Sequence, residues 1–328
     1  MNARRLWISI AAVPIVLVGA VAGVLTFNTP PELPRLAAGD GIPGIERWDH
    51  SEVPPRRTIT ARDGAPLTFR HYPARPDRAV VLVHGSSGSS YSMHKLAQAL
   101  QTAGASVWAV DLRGHGGSGA VRGDVGHIGQ LDEDLHDLLK ATGLGDPKIH
   151  RTLMGFSSGG GFVLRVASGP DATLFDRYLA LAPYVAHDSP TVRPKAGGWA
   201  GVAVGRMIVL STLERFGLAW FQSLPVVRFA TDGRGGEERT TAYSYRLLAS
   251  MQIGQDWRQR LGRIEQKTIV LAGGRDELFN SAQFAPTLLP LSKQIAASIQ
   301  PTHGHMDLIA DPRATFLISM VWQQGTRE

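Results

Sequence analysis

The chain has 328 residues, 43% hydrophobic and 19% charged, long enough for one large α/β domain with an insertion and too apolar for disorder. It contains no cysteine, which excludes disulfide frameworks, thiolate zinc sites, a thiol nucleophile and cysteine-linked lipid anchors. The formal charge of +6 is carried mostly by scattered Arg, with no run of five basic positions. Nucleic-acid binding therefore lacks a motif, and ordinary surface Arg usage or a mild attraction to anionic membranes accounts for the charge.

Residues Leu6 to Phe27 form 22 consecutive uncharged positions behind Arg4 and Arg5. Such a run is long enough to cross a bilayer as a helix, with the Arg pair on the cytoplasmic side. Residues 1–27 are thus expected to be a transmembrane anchor that places the rest of the chain outside. A signal peptide cleaved near Ala20-Val21-Ala22 is the competing reading, giving a secreted protein. Residues 28–55, rich in Pro and Gly, read as an extended linker, because Pro removes backbone donors and blocks helix continuation.

Strand and helix patterns then alternate. Arg57 to Tyr72 reads as two strands around Arg62-Asp63-Gly64. Ala79 to Val83 is a continuous apolar run, as expected of a strand covered on both faces. Tyr91 to Ala103 has helical spacing, Ser106 to Val110 is a strand, and Leu131, Leu135, Leu138 and Leu139 mark a helix. Ile149 to Phe156 and Tyr178 to Ala182 read as strands flanking a helix over Ser158 to Ser168. Strands at Thr268 to Ala272 and Ile295 to Ile299 follow, with helices near Ala282 to Leu289 and Ala314 to Trp322. The alternation predicts an α/β fold with a mostly parallel sheet covered by helices, its core made of residues 56–183 and 265–328. Residues 184–264 show no clear sheet strand and carry helical patterns at Met207 to Phe216 and Tyr243 to Met251. They are too long for a loop and too apolar for disorder, so a helical cap over the sheet edge is expected.

Gly155-Phe156-Ser157-Ser158-Gly159 directly follows a predicted strand and opens a predicted helix. This is the context a G-x-S-x-G nucleophile elbow requires, with a strained Ser157 facing the amides of the next helix. A hydroxyl needs a base to take its proton, and His303 and His305 follow the last strand. An orienting carboxylate is expected at the end of the strand before, where Asp276 lies; Glu277 and Asp307 are rivals, as His303 is to His305. The order Ser157, Asp276, His305 is the hydrolase order, unlike those of chymotrypsin and subtilisin.

The motifs HGSSGSS, DLRGHGGSG, GFSSGGG, GGRDE and HGHMD, in this order, resemble the α/β-hydrolase superfamily. The closest likeness is to its lysophospholipase, monoacylglycerol lipase and serine aminopeptidase-like branch, over about Arg57 to Gln323. The resemblance implies an α/β-hydrolase fold with Ser157 as nucleophile, Asp276 as triad acid and His305 as base. It also implies an oxyanion hole from the backbone amides of Ser86 and Ser158. It implies a serine hydrolase of carboxylic esters with no cofactor, while the expected apolar helical cap and membrane anchor point to lipid-like esters as the substrates. Peptidase, amidase or acyltransferase chemistry on the same triad is the alternative. A catalytically silent, membrane-tethered binding protein is the rival from another class.

Other polar residues have structural readings. Asp111, Arg113 and His115 are expected to fix a turn, and His84 to brace the oxyanion loop. His127, His136 and Asp134 could suggest a metal, but Asp132, Glu133, Asp134 and Asp137 read better as a solvated helix face, so no metal is expected. Trp199, Trp220 and Phe221 are either cap core or acyl-binding wall.

Overall fold

In the computed structural model, residues 16–33, 51–193, 198–230 and 238–325 are described. The chain enters through a helix over 16–27 (α1), so the first part of the expected membrane span, Leu6 to Ile15, lies outside the described residues, as does 34–50 of the expected linker. Among the described residues no helix is long and apolar enough to cross a membrane.

Strands β1 (Arg56–Thr60) and β2 (Pro66–Tyr72) form the expected hairpin, with Gly64 at φ 83° in its turn. They are followed by β3 (Arg75–Val83), α2 (His94–Thr102), β4 (Ala105–Val110), α3 (Gln130–Ala141), β5 (His150–Phe156), α4 (Ser158–Ala167) and β6 (Arg177–Leu181). The insertion carries β7 (Ala200–Val202), α5 (Val204–Arg215), β8 (Pro225–Phe229), β9 (Ala242–Ser244), α6 (Tyr245–Met251) and α7 (Trp257–Leu261). The core resumes with β10 (Lys267–Gly273), α8 (Phe284–Leu288), β11 (Ile295–Gln300), α9 (Asp307–Ala310) and α10 (Pro312–Gln324).

The main sheet has the order β1-β2-β4-β3-β5-β6-β10-β11. The pairs β1/β2 and β2/β4 are antiparallel, and the others are parallel. The fold is that of the α/β-hydrolases, as expected. The apolar runs explain the sheet's depth: Val80 to Val83 are fully buried between helical layers. Register then places the chemistry. Val83 is paired with Gly155, so the chain leaving β3 at His84-Gly85 emerges beside Ser157. Gly273 is paired with Gln300, which sets the loop holding Asp276 beside the loop holding His305.

The cap requires a correction. It is not wholly helical: β7, β8 and β9 form a separate three-stranded antiparallel sheet beside α5 to α7. Its outer strands span three residues each, too short to show an alternating pattern. The cap also receives the N-terminal helix. The buried Arg206 donates to the carbonyls of Leu25 (2.7 Å) and Pro225 (2.8 Å), and its own backbone N–H donates to Asn28 Oδ1 (2.9 Å). The Leu25 bond occupies a carbonyl in the last turn of α1, which has no acceptor role left within its helix.

Candidate active site

Ser157 sits between β5 and α4 at φ 56°, ψ −116°, a conformation that non-glycine residues avoid. The surroundings hold it there. Its N–H donates to the Leu181 carbonyl (2.8 Å), and its carbonyl accepts from Gly161 and Tyr184 (both 3.0 Å). The turn is tight enough that a Cβ on Gly155 would strike the Gly159 carbonyl, and one on Gly159 the His84 carbonyl. A Cβ on Gly85 would lie 3.2 Å from the Ser157 Cβ, so the loop after β3 passes directly over the elbow.

The imidazole of His305 is hydrogen-bonded through Nδ1 to Asp276 Oδ2 at 2.8 Å, and both side chains are buried. The other carboxylate oxygen of Asp276 accepts the N–H groups of Leu278 (2.9 Å) and Phe279 (2.8 Å). Those bonds orient the carboxylate, which makes Nδ1 of His305 a donor and leaves Nε2 free to accept a proton. The His305 ring packs 4.6 Å from the ring of Phe156, the residue preceding Ser157. The structure thus brings the Asp276–His305 pair together, next to the elbow.

The rivals are accounted for. Glu277 accepts the backbone N–H of His305 (2.8 Å), and Asp307 accepts that of Gly304 (2.7 Å), so both brace the histidine loop. His303 lies 3.6 Å from Asp311, the N-cap of α10, and makes no hydrogen bond or ion pair with Asp276.

Ser158 opens α4, whose first-turn amides have no intrahelical acceptor, and Ser86 follows Gly85 on the loop over Ser157. His84 braces that loop. Its Nδ1 bonds the Gly85 carbonyl (2.8 Å) while Nε2 accepts the N–H of Leu112 (3.2 Å), and complete burial lowers its pKa. Asp111, Arg113 and His115 do hold a turn. Asp111 accepts from Ser90 N–H (2.6 Å), Thr68 Oγ1 (2.6 Å) and Arg56 Nε (2.9 Å). Burial pushes its carboxyl up, but the bonds from Thr68 and Ser90 and the Arg56 charge outweigh this and hold it below the ordinary value.

The helix carrying Asp134 differs from expectation. Asp134 is buried and paired with Arg113 (2.6 Å), and burial raises its pKa despite that partner. Its spacing of three from Leu131 and four from Leu138 puts it on the apolar stripe, a signal in the sequence that its charge concealed. No cluster of metal-ligating side chains occurs among the described residues. Trp199 stacks on Phe229 (5.1 Å) as cap core, whereas Trp220 and Phe221 are 66% and 56% exposed and so are not cap core. A contact without a counterpart in the sequence reading is that of Tyr243 of the cap, whose hydroxyl accepts the N–H of Ser87 (2.8 Å) on the loop after His84.

The family model described as serine aminopeptidase, S33, matches residues 74–311. A monoacylglycerol lipase of Mycolicibacterium smegmatis is 27% identical over 205 residues, covering 62% of this chain and 71% of that protein. The fold is similar to that of a soluble variant of monoglyceride lipase from Saccharomyces cerevisiae (TM-score 0.61, 17% identity, 85% and 96% of the two chains). It is also similar to that of the Paleococcus ferrophilus monoacylglycerol lipase (TM-score 0.53, 20% identity, 84% and 98%).

Proposed function

We propose a lipid-like ester, a monoacylglycerol or lysophospholipid, as the substrate, from the premise that the chain belongs to the serine aminopeptidase S33 family and is a serine ester hydrolase. The observation that carries the mechanism is the buried Asp276–His305 hydrogen bond beside the strained elbow of Ser157. In this reading His305 Nε2 takes the proton of Ser157 as Oγ attacks the ester carbonyl. The Asp276 carboxylate stabilises the imidazolium, and the Ser86 and Ser158 amides face the oxygen on which charge develops. His305 then protonates the leaving alcohol, and water attacks the acyl-enzyme with His305 as base. Water regenerates the Ser157 hydroxyl and releases the acid.

Support for the lipid-like substrate comes from the similarity to the Mycolicibacterium monoacylglycerol lipase and from the apolar cap. The test is kcat/KM across aryl esters of increasing acyl length, with 1-monoacylglycerol and lysophospholipid in parallel. The reading expects a maximum at medium or long chains; a maximum at acetyl or propionyl esters contradicts it. Placement of the catalytic domain outside a membrane, by anchor or by export, is part of the same proposal and rests on the uncharged Leu6–Phe27 run behind Arg4 and Arg5.

A further inference from the structure

We propose that the returning segment of the cap, Glu238–Ser244, is a strap that aims the Ser86 amide, with Tyr243 as its positioning residue. The proposal rests on the serine-hydrolase reading above. Ser87 holds φ 62°, an unfavourable conformation for a residue with a Cβ, and both of its backbone polar groups go to the strap. Its N–H donates to the Tyr243 hydroxyl (2.8 Å), and its carbonyl accepts the N–H of Thr240 (3.1 Å).

The peptide planes on either side of Ser86 are therefore fixed by different parts of the molecule. His84 of the core holds the Gly85 carbonyl at 2.8 Å, and Tyr243 of the cap holds the Ser87 N–H. In the serine-hydrolase reading the Ser86 amide, which lies in the first of these planes, is the one that faces Ser157.

The Tyr243 hydroxyl has a defined polarity. His115 Nδ1 lies 3.3 Å from the Arg113 carbonyl and so carries the ring proton, which leaves Nε2 to accept from Tyr243 O–H at 2.7 Å. Burial keeps His115 neutral and the phenol protonated. The rest of the strap is fastened along its length. Glu238 pairs with Arg56 (2.7 Å) and Arg70 (3.3 Å) and accepts from Ser89 Oγ (2.5 Å). Thr240 Oγ1 donates to the Gly114 carbonyl (3.1 Å), and Ser244 N–H to the Gly123 carbonyl (2.9 Å). A Cβ on Gly123 would strike the Ala242 carbonyl, so strap and loop lie in direct contact.

An amide that matters only once negative charge has formed on the substrate oxygen affects kcat and leaves substrate binding alone. Tyr243→Phe removes one oxygen and keeps the ring packed against Phe229 (4.7 Å). Removing an oxyanion donor outright costs roughly 10²- to 10³-fold in kcat, and loosening one costs less. On a short aryl ester the expected result is a kcat about tenfold lower with KM within about twofold. Affinity for an alkyl boronic acid, whose tetrahedral adduct places an oxygen in the same hole, should fall by the same factor. A folded Tyr243→Phe protein with unchanged kcat, or with only KM altered, overturns the proposal.

Should Tyr243→Phe not fold, Glu238→Gln at the strap's half-exposed start reads the same split. A kcat about threefold lower at constant KM supports the strap, and an unchanged kcat overturns it. Ser157→Ala in the same assay separates the two readings: full turnover in that variant removes the serine-hydrolase reading and the strap with it. Lost turnover in Ser157→Ala beside an unaffected Tyr243→Phe removes the strap alone.

Discussion

Nδ1 of His305 and Oδ2 of Asp276 lie 2.8 Å apart in a buried pair whose carboxylate is also held by two backbone N–H groups. The carboxylate accepts from Nδ1 and so holds the ring in one tautomer. Asp276→Asn keeps the shape but removes the charge and favours the wrong tautomer, so kcat on an aryl ester should fall by about 10⁴-fold. A loss smaller than about tenfold would mean that another group orients the base.

The tightness of the elbow predicts a reversal of sign at Gly161. Inside a helix, Gly to Ala ordinarily stabilises by up to about 1 kcal/mol. Here a Cβ would run into the Tyr184 carbonyl, which is part of the backbone and has nowhere to move. Gly161→Ala should therefore destabilise by about 1–3 kcal/mol, read from the urea midpoint. A midpoint that rises would show the elbow to be looser than its backbone contacts indicate.

Much of this site was legible in the sequence, because motif and context reinforced each other. The strands before Ser157, Asp276 and His84 end in apolar runs, and such runs mark where a buried parallel strand must end. The cap sheet left no such trace, since β7 and β9 are only three residues long. Asp134 was misplaced because a charge was read as exposure, although its spacing lay on the leucine stripe and Arg113 supplied its partner from a distant turn. Tyr243 had no sequence signal at all: a lone tyrosine gains its meaning only when the cap returns it to Ser87, 156 positions away in the chain.

Two fully buried neutral histidines, His84 and His115, make stability depend on pH. Burial is the main cause that lowers both pKa values from 6.5, so below that value the unfolded chain takes up protons that the native state refuses. Their contribution is present above pH 6.5 and is lost as pH falls from there toward their lowered native values. Each adds a slope of at most about 1.4 kcal/mol per pH unit in that window. Urea unfolding at pH 7.5 and 5.5 should give clearly lower stability at 5.5, and His115→Gln should reduce the difference, leaving the part due to His84. Equal stability at the two pH values would contradict neutral burial of these rings.

In the proposed mechanism the chemistry turns on the hydroxyl at position 157, and a fluorophosphonate probe reads it directly. The account predicts one covalent adduct, located by mass spectrometry on the peptide containing Ser157, absent from Ser157→Ala and formed far more slowly in His305→Ala. An adduct on another serine, or undiminished labelling of Ser157→Ala, would contradict it.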